Sequence, residues 1–257
     1  MKIVSVANEK GGVGKTTTAV NMSAILMRPP YNKRVLFIDS DVQCNSSSWY
    51  KADLKDGTAT LYDIVIADEP TPIREIIQQT DMGAIIPSDP LLSEFDSNDG
   101  NKMLRLKRAL EQIKDDWDYV IIDCPPTSWE ILKAVFYASD AVIIPTKASQ
   151  FGMEGLWAIW PMIRAVRDGA NPTLHISGIL ISEYEKRRAV LENIQIIRDR
   201  FCPMMETTLF PRPIRRTIAV EEAQMNRKPL IEYSPYCTAE LDFEAIVEEF
   251  LRREGDL

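Results

Sequence analysis

Lys10-Gly-Gly-Val-Gly-Lys-Thr-Thr17 follows directly on the apolar run Lys2-Ile-Val-Ser-Val-Ala-Asn8 and opens a stretch of helical periodicity. A short strand, then glycines, then Lys-Thr at a helix start is the arrangement that cradles phosphate. Gly11, Gly12 and Gly14, with Val13 between them, let the backbone turn so that successive N–H groups face phosphate oxygens. Lys15 is placed to neutralise β/γ-phosphate charge, and the Thr16 hydroxyl to enter a Mg²⁺ shell, with Thr17 beside it. The common pattern Gly-x-x-x-x-Gly-Lys-Ser/Thr is broken, because Glu9 stands at its first glycine. Lys10 stands at the entrance instead. One lysine suffices for a nucleotide bound within the subunit, so a second one is best used on the phosphates of a facing subunit. Such a contact exists only in a nucleotide-loaded homodimer.

Two further segments are spaced to work with this loop. Arg34-Val-Leu-Phe-Ile-Asp-Ser-Asp-Val-Gln-Cys-Asn45 is a strand ending in Asp39 and Asp41, and Tyr119-Val-Ile-Ile-Asp-Cys-Pro-Pro126 is a strand ending in Asp123. A carboxylate at the end of an apolar strand is costly unless a cation or hydrogen-bond donors compensate it, and a Mg²⁺ shell does so. Pro125 and Pro126 stiffen the following turn, which is expected to sense the γ-phosphate.

Together these three segments resemble the ParA/MinD class of P-loop ATPases, whose deviant Walker A box carries a "signature lysine" at the position of Lys10. Weaker echoes of the same class are Ile144-Pro-Thr146, Phe151-Gly-Met-Glu-Gly-Leu156, Phe210-Pro-Arg212, Glu221-Glu-Ala223 and Lys228-Pro229. The resemblance therefore spans nearly the whole chain. It implies ATP and Mg²⁺ as cofactors, with Lys10, Lys15, Asp39 and Asp41 catalytic. By the same resemblance Asp41 polarises the attacking water, Asp39 acts through the metal's water shell, and Thr16, Asp39 and Asp123 form the metal site. Pro211 and Arg212 map onto the loop that holds adenine. Val42 replaces the usual proline of the Asp-x-Asp-Pro-Gln-x-Asn strand end, which leaves that loop less rigid.

The chain has 257 residues, 45% hydrophobic and 26% charged, which suits a single α/β domain over 1–257 with a sizeable core. No apolar stretch has the length of a membrane span, and the start lacks a targeting pattern; a cytoplasmic protein is expected. Cys44, Cys124, Cys202 and Cys237 lie far apart with no C-x-x-C pair, so they read as reduced, mostly buried thiols. The single histidine, His175, begins an apolar run and reads as structural.

Net charge is −8, which argues against a chain coated in nucleic acid. Residues 183–230 nevertheless carry ten Lys/Arg against seven Asp/Glu. Lys186, Arg187, Arg188, Arg215, Arg216, Arg227 and Lys228 are therefore the candidates for non-specific DNA contact, with strong salt dependence.

Strands are expected at 2–8, 34–38, 83–86, 118–122, 140–145, 174–181 and 206–210. Helices are expected near 16–27, 59–79 (broken at Pro70 and Pro72), 101–115, 129–138, 153–168, 188–201, 215–225 and 236–252. Continuous β-branched strands point to burial on both faces, hence a twisted, mostly parallel sheet flanked by helices, with chemistry at the carboxyl ends of its strands. The loop-rich stretch Ser88–Asn101 is the expected mobile or partner-facing insertion. Trp157, Trp160 and Met162 are expected in the core or an interface.

The resemblance implies a partition ATPase. Its ATP-bound dimer binds nucleoid DNA, and a ParB-like adaptor stimulates an otherwise slow hydrolysis to release it. A loop starting at residue 10 leaves no room for an N-terminal DNA-reading domain. The alternative is a MinD-like membrane-cycling ATPase that positions division machinery. It needs a basic amphipathic C-terminal helix, whereas Leu241–Leu257 is rich in acids, so no stable membrane binding is expected.

Overall fold

The structure is a computed structural model that describes residues 1–257 except Ser97, Thr127, Ser128 and the side chain of Trp129. Its strands are β1 (Lys2–Val6), β2 (Val35–Asp39), β3 (Gln78–Thr80), β4 (Gly83–Ile86), β5 (Tyr119–Asp123), β6 (Ala141–Lys147) and β7 (His175–Ser182). They form one sheet in the order β3-β4-β2-β5-β1-β6-β7. Every pairing is parallel except that of β3 with β4.

All five residues of β2 and all five of β5 are buried, as expected for strands covered on both faces. Alternation along them divides the interior into two cores. Leu36, Ile38, Val120 and Ile122 point to one side, where the helices Arg105–Glu111, Trp129–Ala138 and Gln150–Asp168 cover the sheet. Val35, Phe37 and Ile121 point to the other, beneath the helices Lys15–Met27 and Thr238–Arg253. Phe243, Ile246, Val247, Phe250 and Leu251 of the last helix are all buried there. Each such side chain contributes roughly 1.5–3 kcal/mol when fully removed from water.

The parallel register has one consequence for function. Asp39 pairs with Asp123, and Val6 pairs with Asp123, so the ends of β1, β2 and β5 are level. The phosphate loop and both aspartate segments leave the sheet at the same edge.

The outer elements differ from expectation. Residues 206–210 make no strand; only Leu209 bridges to Ile179, because Pro211 and Pro213 remove the N–H groups a continuing ladder needs. The helical stretch expected over 59–79 is interrupted about Pro70 and Pro72 as expected, but only single turns form on either side, Leu61–Val65 and Ile73–Ile76, and β3 follows. Gln78-Gln79-Thr80 carries no apolar alternation to betray a strand. The helix expected at 153–168 starts at Gln150, where the Ser149 hydroxyl accepts from Gly152 N at 3.1 Å. Within Ser88–Asn101, Pro90–Glu94 forms a 3₁₀ turn that buries Leu92, and Phe95 is buried after it; Ser97 lies outside the described residues. Trp160 and Met162 are core residues, whereas Trp157 is 59% exposed and lies edge-on to Phe201.

At the opposite end of the sheet, Glu254 is pinned by Lys2 Nζ at 2.9 Å and His175 Nε2 at 3.1 Å. Burial raises the Glu254 carboxyl, but the donors from His175 and Lys2 outweigh it and hold the group at about 2. The hydrogen bond to Glu254 raises His175 above its usual 6.5. The imidazolium therefore adds stability that is fully present below pH 6.5 and lost as pH climbs through the raised value. In urea titrations the gap between wild type and His175→Gln should shrink as pH rises above 6.5 through the raised His175 value; a gap that is constant or widens contradicts the pairing.

Candidate active site

The loop after β1 is braced before it turns. Asn8 is fully buried; its Nδ2 donates to Pro145 O at 2.8 Å and its Oδ1 accepts from Lys10 N at 2.9 Å. Gly12 and Gly14 then adopt φ of 66° and 90°, a region open to glycine at no steric cost. The helix Lys15–Met27 begins at Gly14 with no side-chain cap and no acidic residue in its first turn, so its free N–H groups are left for an anion. Lys15 Nζ folds back to Lys10 O at 2.9 Å. Burial lowers the Lys15 pKa, with Asp123, Cys124 and Asp41 pulling it up. An open cleft of about 850 Å³ lies above, bordered by Gly11, Lys15, Thr16, Asp41 and Asn45.

Three aspartates meet at the sheet edge. Asp123 Oδ2 accepts from Thr16 Oγ1 at 2.7 Å and from Ser46 Oγ, while Oδ1 is buried with no partner. Asp39 Oδ2 accepts from Ser47 N and Ser47 Oγ, each at 2.7 Å, and Oδ1 accepts from Asp41 N at 3.0 Å. Burial raises both carboxyls, and the Asp123 charge raises Asp39 further. Asp41 stands closer to the cleft, its Oδ1 accepting from Gln43 N at 3.0 Å.

Lys10 is not idle in this chain. Its Nζ lies 3.2 Å from Glu154 and 3.9 Å from the centre of the Phe151 ring. Both belong to the helix Gln150–Asp168, which presses on the loop. A Cβ at Gly155 would come within 2.5 Å of Asn8 Oδ1 and 2.7 Å of Lys10 Cγ, and one at Gly152 within 2.0 Å of Lys147 O. The glycines of Phe151-Gly-Met-Glu-Gly-Leu156 are thus what allow that approach.

The chain as a whole is similar to known proteins. Residues 1–176 match the family model described as an AAA domain. The chain is 32% identical to the chromosome partitioning protein ParA of Caulobacter vibrioides, covering 100% of this chain and 96% of that protein. The chain belongs to the ParA family of P-loop ATPases. A plasmid partition protein of Borrelia burgdorferi solved with AMPPNP superposes with a TM-score of 0.79 at 27% identity, covering 98% of each chain. A cobyrinic acid a,c-diamide synthase of Mycobacterium smegmatis, solved with an ATP analogue and magnesium, gives 0.80 at 25%, covering 99% of this chain and 96% of the other.

Within this ParA-family chain, not every residue named from sequence meets at the loop. Pro211 and Arg212 lie off the cleft that adjoins it. That cleft, about 590 Å³, is bordered instead by Ser182, Ile214, Thr217, Val220 and Phe243, with Gly14 and Thr18 from the loop side. Arg212 is on the surface, 3.6 Å from Asp242. Sequence reading also missed Ser46 and Ser47, the donors to Asp123 and Asp39, although the run Ser46-Ser-Ser48 just after Asp41 was a usable signal. Gln224, which donates to Thr17 Oγ1 at 2.7 Å, carried none.

The basic candidates divide in two. Arg215 is committed to Asp242, which is fully buried, at 2.7 Å; Arg216 pairs with Glu185 at 3.2 Å, Arg188 with Glu192 at 2.8 Å, and Arg187 with Glu185. Lys186, Arg227 and Lys228 are exposed and make no ion pair among the described residues.

The residues present fit a magnesium nucleotide. A hydroxyl and a carboxylate 2.7 Å apart, the latter with an orphaned buried oxygen, form the hard oxygen set that Mg²⁺ takes together with substrate phosphate. Removing the Asp123 charge should therefore have two opposite effects. In thermal melts Asp123→Asn is expected to raise the midpoint of the ligand-free protein, since it relieves a buried charge beside Asp39, and to abolish the extra stabilisation that Mg²⁺ adds to ADP. A variant that keeps the Mg²⁺ increment would show that Asp123 is not the site.

Proposed function

We propose that this chain is an ATP-hydrolysing partition protein whose ATP-loaded homodimer binds DNA non-specifically and lets go when a ParB-like adaptor stimulates hydrolysis. Plasmid, chromosome or other cargo is moved by that cycle on the nucleoid. The observation that carries the reading is a second lysine, Lys10, at the entrance of a phosphate loop whose Gly14-Lys15-Thr16 end is intact. Its present partner, Glu154, is 54% exposed. An exposed pair of this kind is worth at most about 1 kcal/mol, so exchanging it for a partner subunit's triphosphate is easy.

In this cycle Lys15 and the helix N-terminus hold the β- and γ-phosphates, and Thr16 and Asp123 hold Mg²⁺, which neutralises charge developing on the phosphoryl group. Asp41 orients the attacking water from the cleft side. Asp39, bonded to Ser47 and to the Asp41 N–H, keeps the Asp41–Asn45 turn in place and shares the metal's water shell. No arginine borders the phosphate cleft, and an arginine supplied to a phosphoryl transfer is worth about 10³–10⁵ in rate. Slow intrinsic turnover follows, with the adaptor as the accelerator.

The membrane-cycling alternative is disfavoured by the helix Thr238–Arg253, where Phe243, Ile246, Val247, Phe250 and Leu251 are in the core and only Leu241 among its large apolar residues is exposed. No described helix is long and apolar enough to cross a membrane.

Filter retention of DNA with ADP, ATP and a non-hydrolysable analogue, over a salt series, tests the reading. Retention should require ATP or the analogue and fall steeply with salt. Lys186→Glu and the pair Arg227→Glu/Lys228→Glu should each weaken it, with the slope of log affinity against log salt reduced by about 1 per lost contact. Lys10→Ala should lose both the dimer in light scattering and DNA retention while melting normally. Retention without nucleotide, or binding to anionic liposomes in its place, overturns the proposal. Arg215 is the wrong residue to mutate for this purpose, because its loss removes the shortest ion pair of the buried Asp242 carboxylate and so disturbs the fold as well.

A further inference from the structure

Two clefts flank the phosphate loop, one over Gly11–Thr16 and one beside the end of β7. Four residues border both: Gly14, Thr17, Glu183 and Gln224. A nucleotide with its phosphates on the loop and its base against Ile214, Val220 and Phe243 has its sugar at that junction. Gly14 offers no side chain there. The Thr17 hydroxyl and the Gln224 amide are bonded to each other at 2.7 Å. Glu183 is the charged group that remains.

Its position is fixed by unusual backbone. Glu183 has φ of 49°, a left-handed conformation that a non-glycine residue adopts at a cost and that concentrates at ligand clamps. The chain is anchored on both sides of it. Before it, Ser182 closes the β7 pairing opposite Lys147 and donates its hydroxyl to Thr146 O at 3.2 Å. After it, Tyr184 N donates to Ile214 O at 2.8 Å and Tyr184 O accepts from Arg216 N at 3.1 Å. Lys147 Nζ holds Glu183 Oε1 at 2.8 Å, and Oε2 makes no hydrogen bond or ion pair among the described residues. A carboxylate braced in this way, on the wall between a base cleft and a phosphate cleft, is suited to accept hydrogen bonds from a vicinal diol, as acidic residues do for ribose elsewhere.

We propose that Glu183 is the sugar-recognising residue of this site, accepting from the ribose hydroxyls and selecting ribonucleotides over deoxyribonucleotides, with Lys147 as its positioning partner. This rests on the nucleotide reading of the clefts given above. The Glu183 side chain is 47% exposed in the free chain, so its discrimination comes from a charge-assisted hydrogen bond made to the bound ribose and not from a buried group left unpaired.

The test is calorimetric binding of ADP, 2′-deoxy-ADP and 2′,3′-dideoxy-ADP, with Mg²⁺, to the full chain. Diphosphates avoid both hydrolysis and ATP-driven dimerisation. Wild type should bind ADP roughly three- to tenfold tighter than the dideoxy form, the low end for a hydrogen bond to a charged group, because Glu183 is half exposed. Glu183→Ala should bring the two within about twofold, and Glu183→Gln, which keeps shape and loses charge, should fall between. Equal affinities in wild type, or a preference that survives Glu183→Ala with unchanged melting, overturn the assignment of Glu183 and leave the nucleotide site standing. Failure of wild type to bind any of the three removes the nucleotide reading itself.

Discussion

Asp39 and Asp123 occupy one register row of a parallel sheet, each fully or almost fully buried. Two carboxylates so placed cannot both be ionised without donors or a cation nearby. The surroundings answer that demand piece by piece. Ser46 and Ser47, at the start of the short helix Asn45–Trp49, supply hydroxyls to one aspartate each. Cys44 takes a left-handed conformation that turns the chain into that helix. Lys15 and Thr16 approach from the other loop. One carboxylate oxygen, Oδ1 of Asp123, is still left over. A buried charge that the protein leaves incompletely satisfied is the structural reason a divalent cation has somewhere to go, and the phosphate loop stands where it would bring that cation's other ligands.

The same arrangement explains why the centre was legible in the sequence and the periphery was not. Strands buried on both faces must be continuously apolar, so β1, β2, β5, β6 and β7 announce themselves, and the residues that break the apolar run at their ends are conspicuous by chemistry alone. Asp39, Asp123 and the glycines of the loop were readable for that reason. Residues 206–210, Glu-Thr-Thr-Leu-Phe, carry β-branched and aromatic side chains suited to a strand, yet Phe210 packs beneath the guanidinium of Arg253 and against Gly178 instead. β3 failed in the reverse direction, since an edge hairpin of Gln-Gln-Thr needs no apolar face. Pro211 and Arg212, mapped by resemblance onto the adenine loop, do not border the cleft beside β7, where Tyr184 bridging to Arg215 brings Ile214 to Thr217 inward.

Glycine at 152 and 155 connects two parts of the site that sequence treats separately. With backbone-close packing, the helix Gln150–Asp168 and the loop cannot shift independently, so Glu154 and Phe151 register any displacement of Lys10. The Lys10 backbone is held twice, its N–H donating to Asn8 Oδ1 and its carbonyl accepting from the Lys15 ammonium; a phosphate that draws on Lys15 competes for the second of these bonds only.

Electrostatics sets the terms on which an acidic chain can meet DNA. Four of the seven basic candidates are occupied by carboxylates, and in Arg215 the partnership with Asp242 holds the helix Thr238–Arg253 to the Ile214–Thr217 segment, which is folding work. What remains per subunit is three cations, Lys186, Arg227 and Lys228, against a background net charge of −8. Each phosphate contact contributes additively to the logarithm of affinity, so three contacts give weak binding and their duplication across a two-fold axis roughly squares it. In the cycle proposed above, an acidic monomer would be held off the nucleic acid while its dimer is retained, so that nucleotide control of association would become nucleotide control of DNA binding.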